Sequence, residues 1–196
     1  MPATERRIDR SDILPMAEYE AFRKAHRPDF VAQKKLRRLE VGPFATFYFE
    51  SYQTMWWQVQ EMLRIEKGGE EQIADELAAY NPLIPQGAEL VATLMFEIDD
   101  PIRRNLVLAR LTGADSHVAL TVGGEAVPGV PDDPEGRTKD DGKISSVHFL
   151  RFRLTPSAAD AFRRPGTQVT LGITHPAYGH IALMPESVRE ALAADL

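Results

Sequence analysis

Residues 88–98 place Leu90, Ala92, Leu94, Phe96 and Ile98 on one face at period two. That is the spacing of a long strand with one buried face. Residues 144–154 repeat the pattern, with His148, Leu150, Phe152 and Leu154 on one face and Val147, Phe149, Arg151 and Arg153 on the other. Strands of this length need neighbours. Shorter apolar runs supply them at 43–50, 117–122, 125–128, 167–174 and 180–184, and Gly123-Gly124 makes a tight hairpin turn.

Helical spacing fills the intervals. The strongest helix is predicted over 52–67, with Tyr52, Met55, Trp56, Val59, Met62, Leu63 and Glu66 on one face and Trp57, Glu61 and Ile65 on another. Further helices are expected at 70–80, 101–112, 155–165 and 186–194. In the N-terminal part, Ser11 or Asp12 caps a short helix and residues 18–27 permit helix until Pro28 interrupts. Residues 29–40 then read as a basic amphipathic helix ending near Gly42. These elements predict an α+β fold, an antiparallel or mixed β-sheet with helices packed on one face, plus a helical N-terminal arm. The arm spans 1–40, and 41–196 forms a single α+β domain. The Pro-, Gly- and Asp-rich stretch 128–143 is expected to be a loop, either solvated or a lid over a site.

Composition narrows the chemistry. There is no cysteine, which excludes disulfides, thiol catalysis and thiolate-held zinc or iron–sulfur centres. A metal must then be held by His, Asp or Glu. No apolar run approaches the roughly 20 residues that span a bilayer, and the N-terminus lacks a signal-peptide core, so a cytoplasmic protein is expected. Net charge is −6, split between +3 over residues 1–40 and −9 over the remainder. An acidic body argues against nucleic acid and leaves the basic arm free for an acidic partner.

His175 and His180 bracket Pro176-Ala177-Tyr178-Gly179. If that tetrapeptide is the turn of a hairpin, the two imidazoles face each other with Cβ atoms about 5 Å apart. His148 shares the apolar phase of its strand, and His175 continues the face of Val169, Leu171 and Ile173. His117 and His26 fall on exposed positions. Glu61 and Glu66 sit on apolar stripes of the 52–67 helix, where a carboxylate is costly unless paired or bound to a cation. Histidines with a carboxylate and open positions suit non-haem iron, and three histidines suit zinc. The same residues, bonded to main chain or arginine, need no metal at all.

Four segments carry a resemblance: Gln53–Glu66, Tyr80–Pro85, Ser146–Phe152 and His175–Tyr178. Together they resemble a bacterial family catalogued only as a domain of unknown function, family 3501. The family pattern carries a His at the position of Gln33 and another near Phe44; this chain has neither. The resemblance implies a setting beside rubrerythrin-like and iron–sulfur proteins, hence iron or peroxide-linked redox metabolism.

The expected function is therefore metal binding through His148, His175, His180 and Glu61 or Glu66, with iron, manganese or zinc as the ion. One alternative is a non-catalytic accessory module that docks on a redox-protein partner through the basic arm and aromatic helix. Another is a haem or small-molecule pocket lined by Trp56, Trp57, Phe96 and Phe152. A homodimer is compatible with each. The residues do not fix a reaction.

Overall fold

The computed structural model describes residues 6–132 and 144–196. Eight strands form one sheet: β1 (Arg38–Val41), β2 (Ala45–Phe49), β3 (Glu89–Phe96), β4 (Val118–Val122), β5 (Glu125–Pro131), β6 (Val147–Arg153), β7 (Val169–His175) and β8 (Tyr178–Leu183). Their order is β1-β2-β3-β6-β5-β4-β7-β8, and every pairing is antiparallel. The end strands β1 and β8 come to lie beside each other, so the sheet curls into a nearly closed barrel. The two alternating runs, now β3 and β6, pair directly, with Leu94 opposite His148 and Leu90 opposite Phe152. Their apolar faces fill the barrel with Phe47, Leu120, Leu150 and Leu171.

No ladder joins β1 to β8 among the described residues. Instead the Tyr178 hydroxyl donates to the Val41 carbonyl at 2.8 Å and accepts from the Phe44 and Ala45 amides at 2.9 and 3.0 Å. Gly42, between β1 and β2, has φ 71°, a conformation that favours glycine. The His180 ring lies over it, so close that a Cβ there would stand 2.5 Å from the imidazole.

The helices do not share one face. α1 (Met16–Lys35), α2 (Tyr52–Glu66) and α3 (Gly69–Tyr80) form a layer with its own apolar cluster. That cluster reaches the outer side of the sheet through Val91 of β3. Ser51 caps α2, its hydroxyl accepting from the Thr54 amide. By contrast α4 (Pro101–Arg110), α5 (Pro156–Arg163) and α6 (Glu186–Ala193) send Leu108, Phe162, Val188 and Leu192 into the barrel cluster. α5 and α6 follow the ends of β6 and β8, at the end of the barrel away from Tyr178.

Four local expectations are corrected. α1 runs straight through Pro28, whose side chain is exposed, so the lost amide is on the solvent side of the helix. The helix then stops at Lys35, and the residues expected to extend it become β1, where Leu39 and Val41 alternate inward. The N-terminal residues are not a free arm: Ile8, Ile13 and Tyr19 are buried against α2 and its neighbours. Of the expected 128–143 loop, residues up to Pro131 extend β5, and 133–143 lie outside the described residues. No helix among the described residues is long and apolar enough to cross a membrane.

Candidate functional site

The antiparallel register brings the end of β7, the start of β8, the start of β6 and the turn before β4 to one end of the barrel. His117, His148, His175 and His180 all lie there. They do not meet at one point. The β7–β8 turn contains only Pro176 and Ala177, so His175 pairs with Tyr178 and His180 pairs with Ile173. The opposed His175–His180 pair is therefore absent.

His148 points into the barrel, 3% exposed. Its Nε2 lies 2.7 Å from the Ser145 carbonyl; a carbonyl only accepts, so Nε2 carries the proton. Nδ1 faces Asp115 Oδ2 at 3.8 Å, with Phe96 edge-on to the ring. Both side chains of this pair are almost fully buried. His180 is exposed and rests on Tyr178, the ring centroids 4.5 Å apart. His175 is half-buried at the rim, its Nδ1 accepting from the Ala177 amide at 3.2 Å.

The carboxylates belong elsewhere. Glu61 faces α1, where Tyr19 and Arg23 donate to it at 2.5 and 2.6 Å. Burial pushes the Glu61 carboxyl up, but the bonds from Arg23 and Tyr19 outweigh it and hold the group below its ordinary value. Burial and the same contact drive the Tyr19 phenol far above its usual range. Glu66 is exposed and accepts from Gln72. The five candidate ligands, three histidines with Glu61 or Glu66, are thus divided between the barrel end and the helical layer. No group of three or more His, Asp or Glu among the described residues is placed to hold a metal.

The aromatic pocket is also divided. Trp56 and Trp57 belong to the helical cluster, whereas Phe96 and Phe152 fill the barrel. A groove of about 840 Å³ does open between α2, α3 and the start of α1, lined by Ile13, Leu14, Met16, Leu63 and Ile73. Arg151, on the strand face opposite His148 and Leu150, is 12% exposed and bound to Glu89 and Asp132.

Asp115 had no reading in the sequence, and His117, expected to be exposed and found so, gains a neighbour that periodicity could not show. Asp115 and His117 both sit on the one-turn 3-10 segment Ala114–His117, Asp115 turned toward His148 and His117 toward His175. The His117 and His175 ring centroids are 5.3 Å apart, with the planes at 82°. His117 Nδ1 lies 2.9 Å from the Gly113 carbonyl. A turn this short has no apolar repeat to reveal which way its side chains face.

α1 offers a different surface. Its aromatic side packs on α2, with Phe30 stacked on Trp57 at 4.2 Å and Phe22 edge-on to Trp56 at 5.3 Å. The opposite side carries Lys24, Arg27, Val31 and Lys35, spaced by three and four residues and all exposed.

A solved crystal structure of a novel protein of unknown function from Burkholderia pseudomallei K96243 is similar to this chain. Identity is 35%, the TM-score is 0.87, and the match covers 96% of this chain and 98% of that one. None of the curated proteins compared with the chain matches it. The model of one family, described as protein of unknown function (DUF3501), matches residues 7–196. A match of that length, over the barrel and the helical layer alike, means that the chain belongs to the DUF3501 family.

Proposed function

We propose that the protein is a non-catalytic accessory module that docks an acidic protein partner on the outer side of α1. One observation carries the reading: Lys24, Arg27 and Lys35 form a one-sign stripe with no ion-pair partner among the described residues, on a chain of net charge −6. A merely solvated helix face usually pairs opposite signs at i,i+4; the one carboxylate at that spacing here, Glu20, is paired with Arg64 instead. Here Arg23 is the neighbour neutralised, by Glu61, while the three outer cations and the exposed Val31 are left open. The aromatic helix takes no part, because Trp56 and Trp57 are buried beneath α1. Its role is to hold α1 rigid. The partner class follows the setting that the family resemblance implies, and the charge of α1 asks that this rubrerythrin-like or iron–sulfur redox protein be of net negative charge.

The test mixes the full chain with such a purified acidic redox protein on a gel-filtration column. The expected result is a complex at low salt that weakens by about tenfold or more at high salt or in the Lys24→Glu/Arg27→Glu/Lys35→Glu variant. Absence of a complex with the unaltered chain sinks the reading, as does a complex that the triple variant retains.

A further inference from the structure

We propose that His117 and His175 form a two-imidazole site for a divalent transition ion that favours nitrogen ligands, zinc or copper(II). Two imidazoles bound through nitrogen at about 2.1 Å to one tetrahedral ion put their ring centroids about 5 Å apart. The observed separation is 5.3 Å. The two rings come from different elements and are held by the sheet itself: Val118 pairs with Ile173, and the Thr174 hydroxyl donates to the His117 carbonyl at 3.3 Å.

The hydrogen bonding of His117 suits a ligand. The Gly113 carbonyl can only accept, so Nδ1 at 2.9 Å is the protonated nitrogen and Nε2 holds a free lone pair. Metal-bound histidines are commonly fixed by this same bond from the far ring nitrogen to a carbonyl. His175 needs one adjustment. The Ala177 amide donates to its Nδ1 at 3.2 Å, which places the ring proton on Nε2. Moving that proton to Nδ1 gives up this long hydrogen bond and sets two N–H groups face to face, so the rim-lying ring turns off the Ala177 amide as Nε2 takes the ion. His117 is exposed and His175 half-buried, so water can complete the coordination shell. Among borderline ions an imidazole pair binds copper(II) more tightly than zinc.

Equilibrium dialysis of the tag-free chain against zinc alone measures the site. The unaltered protein should bind one equivalent, and His117→Ala or His175→Ala should weaken binding by about tenfold or more. His180→Ala and His26→Ala should bind as the parent does. With copper(II), the electron paramagnetic resonance spectrum should show nitrogen couplings that both site variants lose. Because the two rings lie at the surface and rim, circular dichroism should show both variants folded. The proposal is overturned if the parent binds no zinc, or if removing both imidazoles leaves its affinity unchanged.

Discussion

The Tyr178 hydroxyl serves three main-chain groups of the β1–β2 turn at once. Removing it leaves the buried Ala45 amide and Val41 carbonyl without that partner, and each orphaned group costs about 1–3 kcal/mol. Tyr178→Phe should therefore lower stability by about 2–4 kcal/mol in urea titrations; a change within error would mean the hydroxyl bonds add nothing. The role of this tyrosine was not legible in the sequence, which suggested only a turn position. The same region shows why the histidines were misplaced. Shortening a hairpin turn by two residues keeps every side chain on its face, so the apolar pattern of 167–184 fits both registers. The pattern gave the inward phase of His148 and His175 correctly and had no means of setting which residues oppose each other.

At the scale of elements, α5 and α6 are joined by Arg189, which is 2% exposed and donates to the Phe162 carbonyl. Glu186 holds the guanidinium at 2.7 and 2.8 Å. The Arg189 hydrogen bonds, and then the Gly166 amide, bring the Glu186 carboxyl down to about 2 from an ordinary 4.5. A folded value below the unfolded one gives stability that is complete above about pH 4.5 and is lost as pH falls toward 2. Thermal melts should show the parent losing stability over that interval, with a shallower decline in Glu186→Gln. Equal slopes would remove this carboxylate from the acid response. Among elements, α2 was the most legible, because fifteen residues of strong apolar periodicity leave little choice. β1 was the least. Its four residues follow directly on a basic helix, and two inward side chains satisfy a helical or an extended reading equally.

The whole molecule has two apolar clusters that meet across β3, with Val91 in the helical one and Leu90, Ala92 and Leu94 in the barrel. Both tryptophans lie in the helical cluster, so their fluorescence reports that layer alone. α1 has a single fully buried residue, Tyr19, in its twenty, which makes the layer the weaker partner. Its fluorescence should change at lower urea than the strand signal in circular dichroism; coincident transitions would show one cooperative unit. The α+β class was legible because local periodicity determines it, but barrel closure depends on β1, at Arg38–Val41, meeting β8, at Tyr178–Leu183. Those two strands face each other with no shared ladder among the described residues. Bare strand rims template fibrils, so a bracelet clasped by a phenol and an imidazole has a hidden hazard: unclasped, it would present two adhesive borders to its own kind, and polymerisation would compete with refolding.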